Sequence, residues 1–384
     1  MKHLTHKNIL IGSLQPWNSP LVSKHYIAME LTKVHNNITF AHTRRMRKMI
    51  FPSRDSNRFT FHNMLPDRLT LARLYLSPRF THGKVVQSLS AQMVRTVLGR
   101  AYYPDIIISF DPVFHLLNVT YPNALKIYYC ADHLATNTVV ADAEVRLLSA
   151  CDIVIAASRR LCEDLSVRHG YVNYLPHGVD LLSEYRDDIL EARIDNVFAP
   201  FRNRVVLGFL GNIGESVDFD LINYVARRKP DCVIVLVGLQ AASISARVKF
   251  LARNVVCPGP VPSIGIKYCL KHFDVGIVPY VRSKYISRSN PIKIMQYVAA
   301  GIPVVSTNVE EVCSGNGFVY HCNNYEEFSE TVRIAHETNS AELIRERIQY
   351  GKNHSWERRI EELDRMIGSF ISRETPSVVS NACR

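Results

Sequence analysis

Short apolar runs alternate along this chain with stretches whose apolar positions recur at helical spacing, the pattern of parallel strands joined by crossover helices. A first series holds strand-like runs at Asn8 to Leu14, Ile38 to Ala41, Asp105 to Ser109, Lys126 to Cys130 and Ile153 to Ala157. Helices are expected near Leu21 to Lys33, Ala141 to Ala150 and Arg159 to Arg168. The second series begins at Arg204, with runs at Val205 to Leu210, Val233 to Val237, Val255 to Cys257, Val275 to Pro279 and Val304 to Ser306. Between them, Leu181 to Asn203 is polar and irregular apart from one candidate short helix, which marks a hinge. Ser355 to Ile371 has helical periodicity and is expected to cross back onto the first unit. The pattern predicts an α/β chain of two doubly wound domains facing a cleft. Their expected bounds are 1–183 and 204–354, with a linker at 184–203 and a return helix and tail at 355–384.

Length and composition suit that picture, since 384 residues with 47% hydrophobic content can build two cores without staples. The nine cysteines form no Cys-x-x-Cys pair or zinc-type spacing and read as reduced core thiols of a cytosolic chain. Asn8 to Leu14 is too short for a signal peptide, and no apolar run approaches membrane-spanning length, so a soluble or peripheral protein is expected. Charge adds something new. The net charge of +11 is concentrated between Arg44 and Lys84, where Arg45, Arg47, Lys48, Arg54, Arg58, Arg68, Arg73 and Arg79 interleave with Phe51, Phe59, Phe61, Leu65, Leu69, Leu71, Leu74, Tyr75 and Phe80. Such a segment suits an anionic membrane surface or a lipid pyrophosphate; a solvated basic face is the plain alternative. Nucleic acid ranks lower as a partner because no recognition motif accompanies the charge.

The densest candidate chemistry lies between Ser289 and Thr307. Pro291 presets the first turn of a helix whose unpaired N–H groups and positive dipole end suit a phosphate, and Lys293 adds a full charge there. Gln296, three residues on, shares its face and can bond a ribose or a phosphate oxygen. A plain amphipathic helix is the competing reading. The strand Val205 to Leu210 runs into Gly211-Asn212-Ile-Gly214, a turn through which backbone can approach a diphosphate, although its spacing is not that of dinucleotide folds. Asp218-Phe-Asp220 reads as a helix N-cap and first turn, not as a metal site. Asp132 stands just past a strand's carboxyl end, where a general base belongs, and Asp111 is the alternate base; a capping role competes for Asp132, and neighbouring His133 reads as a surface residue. Gly178 in His177-Gly-Val-Asp180 suits a turn with positive φ, a structural role that still leaves His177 able to touch the cleft.

Taken together, the His177 turn, the Gly211 loop, Asp274-Val-Gly-Ile-Val-Pro-Tyr280 and Asn290-Pro-Ile-Lys-Ile-Met-Gln-Tyr-Val-Ala-Ala-Gly resemble bacterial glycosyltransferases of the GT-B fold, with two Rossmann-like domains, over nearly the whole chain. Within that group, Tyr128-x-x-Ala-Asp132-x-Leu-Ala-Thr136, Tyr280 and Lys293-x-x-Gln296-Tyr297 are similar to the inverting xanthan-pathway glucuronosyltransferase GumK. The resemblance implies Asp132 as catalytic base and Tyr280, Lys293 and Gln296 as lining of a UDP-sugar site, to which the reading of the glycine turn and the helix start adds Gly211, Asn212, Ser289 and Asn290. Many retaining members carry two glutamates eight residues apart around this helix; Arg288 and Gln296 stand at those positions here, which disfavours that branch. Pro260 and Val261 after Gly259 leave only backbone to read a base.

The expected function is inverting transfer of a sugar, with glucuronic acid as the candidate, from a UDP-sugar to a lipid-linked saccharide in bacterial surface polysaccharide synthesis. The first domain would bind the acceptor and the second the donor. No metal or other cofactor is expected, because Lys293, the helix start and the Gly211 loop would carry the leaving diphosphate's charge. Arg282, Lys284 and Arg288 are candidates for a sugar carboxylate or phosphate. The expected location is cytoplasmic, peripheral on the inner membrane face. Rival readings are a retaining GT-B enzyme, a nucleotide-sugar epimerase or hydrolase, and a catalytically silent nucleotide-sugar-binding protein.

Overall fold

A computed structural model describes residues 1–43, 65–74, 84–132, 138–181, 184–307, 309 and 318–374. Two parallel sheets carry the fold. The first holds β1 (Asn8–Ser13), β2 (Asn37–Thr43), β3 (Leu69–Leu74), β4 (Ile106–Ser109), β5 (Leu125–Cys130), β6 (Ile153–Ala156) and β7 (Val172–Tyr174), in the order β3-β2-β1-β4-β5-β6-β7. In the second, β8 (Val205–Leu210), β9 (Cys232–Val237), β10 (Val255–Gly259), β11 (Val275–Val278), β12 (Val304–Thr307) and β13 (Val319–Cys322) run β10-β9-β8-β11-β12-β13. Both faces are covered by helices, which is why the central strands read as unbroken apolar runs. The order reverses direction between β1 and β4 and again between β8 and β11, the switch points at which open parallel sheets place ligands beyond their strand carboxyl ends.

The predicted runs all appear as strands, whereas β3, β7 and β13 were not legible in the pattern. β3 is an edge strand whose Thr70, Leu71 and Arg73 face solvent, and β7 spans three half-buried residues, so neither presents an apolar run. Helix Lys84–Leu98 also escaped the reading. β3 corrects part of the basic-segment expectation, because Leu69 and Leu74 point into the core of the first domain while Leu65 and Leu71 are exposed. Arg44, Arg45, Arg47, Lys48, Phe51, Arg54, Arg58, Phe59, Phe61, Tyr75, Arg79 and Phe80 lie outside the described residues, as does His133.

Within the polar connection, Asp187 caps a helix at Asp188–Phe198 by accepting from the Leu190 N–H at 3.0 Å. Ile194 and Phe198 of this helix join the core of the second domain, so much of the expected hinge is packed structure. The last helix, Trp356–Glu374, does return to the first domain, burying Trp356, Ile360, Leu363 and Ile367 in its core. There the Asp364 carboxylate accepts from the Lys2, His3 and Leu4 N–H groups at 3.0, 2.8 and 2.7 Å. Gly178 does not have the positive φ expected of it. Close approach explains it instead: a Cβ there would sit 2.8 Å from Trp356 Cα and N. Among the described residues no helix is long and apolar enough to cross a membrane.

Gly178→Ala should therefore lower stability by about 1–3 kcal/mol in denaturant unfolding, because the clash is with backbone that cannot rotate away. An unchanged midpoint would show that the return helix is free to shift.

Candidate functional site

Pro291, with φ −67°, starts the helix Ile292–Ala299 without any side-chain cap for its first N–H groups, and Pro291 to Lys293 line a cavity walled by both domains. Ala300 and Gly301, the latter at φ +81°, end it and turn the chain into β12. Tyr297 on this helix takes the Leu210 N–H on its hydroxyl at 2.7 Å, which fastens the helix to the end of β8 and hence to the Gly211 turn. Gly211 itself has φ +127°, and a Cβ on it would lie 2.7 Å from Lys293 Nζ. One layer further, a Cβ on Gly238 would meet the Gly211 carbonyl oxygen at 1.7 Å. Glycine is needed at both positions for the lysine to occupy its place.

Lys293 is buried, with Nζ 3.9 Å from the centroid of the Phe209 ring and 4.9 Å from that of Tyr280. Burial pushes its pKa from 10.5 down to about 7, with no acidic neighbour among the described residues to offset it. Ring faces supply partial compensation at most. An anionic ligand would restore what the fold withholds.

A cavity of about 280 Å³ lies at this helix start, walled by Val22, Ser23, Asp132 and His177 of the first domain and by the Asn212 turn, Tyr280, Tyr285 and Ser289 to Lys293 of the second. The structure thus brings together Asp132, Asn212, Tyr280, Ser289, Asn290 and Lys293, which sequence reasoning had named from distant segments. Gly211 abuts Lys293 just behind them. Gln296 is buried one turn deeper and is not among the lining residues.

Asp132 sits largely buried past the end of β5. Burial raises its pKa, with Asp111 reinforcing the shift while Lys24 and a hydrogen bond from Tyr285 oppose it. Asp111, the alternate base, is held elsewhere: its Oδ2 accepts from the Leu14 N–H at 2.8 Å, Lys24 Nζ stands 3.7 Å away, and it does not line the cavity. His177 bonds Ser23 Oγ through Nδ1 at 3.0 Å, and burial pulls its pKa down to about 4, so it faces the cavity as a neutral imidazole. Asp218 is the N-cap foreseen for it, accepting from the Leu221 N–H at 2.9 Å.

The basic loop is a different matter. Arg288 is absent from the cavity because its Nε donates to Asp164 Oδ2 of the first domain at 2.7 Å. Arg282 donates to the Asn323 carbonyl at 3.1 Å, and Lys284 is exposed. Ser158 Oγ donates to the Arg288 carbonyl at 2.7 Å and Asn290 Nδ2 to the Ala157 carbonyl at 2.9 Å, so this loop latches the two domains together. Tyr285 was missed in the sequence, where the charges flanking it drew attention away; its phenol faces the cavity. Larger cavities of about 430 and 450 Å³ flank the return helix, one lined by Glu30 and Glu184 and the other by Arg159 and Arg359, and neither includes Asp132 or Lys293.

Residues 204–337, which include β8, the Gly211 turn and the Lys293 helix, match the family of glycosyl transferases group 1. A putative teichuronic acid biosynthesis glycosyltransferase, TuaH of Bacillus subtilis, is 29% identical over 216 residues, covering 52% of this chain and 54% of that protein. The chain thus matches about half the length of this curated relative. Anabaena HepE in complex with UDP-glucose superposes with a TM-score of 0.68 at 12% identity, over 95% of this chain and 100% of that one. WaaG, a glycosyltransferase of lipopolysaccharide biosynthesis, gives 0.61 at 12% identity over 94% and 99%. At such identities the likeness is one of fold, and it extends beyond residues 204–337 to both halves of the chain: the architecture is GT-B.

Within the second domain, Lys293 allows a direct check. Its folded pKa of about 7 lies below the ordinary 10.5, so between those values the unfolded chain binds more protons and stability at this position rises with pH. Below pH 7 both states are protonated and the full burial cost is felt. Lys293→Met should therefore melt above the wild type, by an amount on the order of a few kcal/mol at pH 7 and below that shrinks toward pH 10. A margin independent of pH would rule out a buried ammonium.

Proposed function

We propose that this protein is an inverting glycosyltransferase that uses a UDP-sugar and needs no metal, and that it extends a lipid-linked saccharide in surface polysaccharide synthesis. The observation that carries this reading is that Asp132 and Lys293, each from a different domain, line one cavity. The Asp132 carboxylate, its pKa raised by burial, would accept the proton of the acceptor hydroxyl as that oxygen attacks the anomeric carbon. UDP would leave from the opposite face, its growing charge met by Lys293 and the uncapped N–H groups after Pro291. UDP-glucose in the HepE complex and the pathway named for TuaH support the donor class and the polysaccharide product.

Glucuronate is the sugar we favour, on the likeness of Asp132, Tyr280, Lys293 and Gln296 to the xanthan-pathway enzyme. Arg282 and Lys284 are the loop cations available to its carboxylate, since Arg288 is committed to Asp164. Peripheral attachment to the cytoplasmic face of the membrane through Arg44 to Lys84 belongs to the same proposal.

Thermal stabilisation across UDP, GDP, UDP-glucose, UDP-glucuronate, UDP-N-acetylglucosamine and GDP-mannose tests the donor, because a ligand that binds the folded state raises its melting point. UDP should stabilise, UDP-glucuronate most; a GDP-sugar preference would overturn the donor, and silence across the panel would favour a protein with no donor site. Asp132→Asn should retain the UDP-induced shift while losing transfer by a factor on the order of 100 or more. Full turnover by that variant would remove Asp132 from the mechanism.

A further inference from the structure

The arginines beside the return helix take no part in the site around Lys293, and their surroundings suit a second anion. A cavity of about 450 Å³ separates Arg159, Tyr174 and the return helix from a wall that includes Ile294 and Val298 of the second domain, a size that suits a small ligand. Its charged lining consists of Arg159, Arg359, Arg365 and Glu362, with the imidazole of His354 beside them. Three guanidiniums stand against one carboxylate.

Arg359 is the most constrained of the three, with 6% of its surface exposed. Its Nη1 donates to Glu362 Oε2 at 2.7 Å, whereas its Nε is buried without a hydrogen-bond partner. A guanidinium carries five N–H donors and does not lose its proton, so one carboxylate leaves it under-satisfied, and the deficit costs stability. Arg159 is steadied with its guanidinium 4.8 Å from the centroid of the Tyr174 ring, and Arg365 stands exposed three residues beyond Glu362. An oxyanion among these side chains would receive charge-assisted hydrogen bonds from planar, fork-shaped donors.

This cavity adjoins the one that holds Asp132 and Lys293, because His177 and Asn290 line both. Its arginines lie on the first domain and on the helix packed into that domain's core, the side that also carries Asp132. The phosphates of a sugar nucleotide would instead meet Lys293 and the helix start of the second domain. Resting on the transferase reading, we propose that Arg159, Arg359 and Arg365 bind an oxyanion carried by the acceptor, the diphosphate of its lipid carrier or the carboxylate of an acidic sugar. The acceptor is thereby anchored next to the cavity in which its hydroxyl reaches Asp132. Ile294 and Val298 cover the carbon skeleton that bears the anion.

The test uses Lys293→Met, which removes the ammonium from the donor's place, and three probes: inorganic pyrophosphate, farnesyl diphosphate and glucuronate. Calorimetric titration should show binding of the diphosphates or of glucuronate, and these two arms tell the lipid carrier from the acidic sugar. Adding Arg159→Ala and Arg365→Ala, both at exposed positions, should weaken that binding at least about tenfold, the usual loss when a hydrogen bond to a charged group is removed. No binding of any probe, or binding indifferent to both arginines, overturns the site. An acceptor must be held beside the donor, so wild-type protein saturated with UDP should bind the probe as tightly as Lys293→Met does; displacement of the probe by UDP also overturns the proposal. Wild-type protein stabilised by no UDP-sugar sinks the transferase reading, an outcome scored apart from arginine-dependent binding in Lys293→Met.

Discussion

A lysine ammonium enclosed by protein with no carboxylate against it among the described residues is the constraint around which the second domain is arranged. Stripping water from a charge is costly, and here the ring faces of Phe209 and Tyr280 are the compensation the fold itself provides. Room for the amine exists because position 211 has no side chain, and the Gly211 carbonyl fits because position 238 has none either. Tyr297 then locks the helix bearing the lysine to the strand bearing the turn. Local stability is given up so that a concentrated positive charge stands ready for an anion, which is the kind of strain expected at a binding site and not in a core.

The carboxylate that lines the same cavity comes from a different domain, and the contacts that join the halves explain why this site forms only when both domains are folded. Asp132 follows a strand of the first sheet; Lys293 opens a helix of the second. Parallel sheets present their functional loops at the strand carboxyl ends, so two sheets facing one another converge on a shared space. The return helix fixes that facing arrangement from one side through Trp356 against Gly178, and the Arg288 to Asn290 loop fixes it from the other. The site is therefore sensitive to contacts that are remote from any reacting atom.

Much of this was readable in the chain, for reasons that can be stated residue by residue. Pro291 followed by Lys293 announces a helix start with a charge, since Pro fits a first turn and the amine sits one residue inside it. Gly211 after an apolar run announces a strand-to-helix turn, and Asp132 after Cys130 a carboxylate past a strand end. What misled were charges whose partners lie far away in sequence. Arg288 looked like an anion ligand but answers Asp164, and Asp111 looked like a second base but holds the Leu14 N–H. Gln296 shares a helix with Lys293 yet ends one turn deeper in the core. Gly178 was assigned a backbone conformation it does not adopt, because close approach of Trp356 leaves no mark in the neighbouring sequence.

Periodicity and turn chemistry are local properties, so the chain alone determined the alternation of strands and helices, the two sheets, the return of the last helix and the short segments that carry an acid or a base. Edge strands such as β3, with one face in water, fell below that level of signal. Which of the charged groups faces the cavity and which meets another side chain depends on how the two domains face each other. That facing is set by contacts more than 100 residues apart, such as Ser158 with Arg288 and Asn290 with Ala157, and no local pattern encodes them.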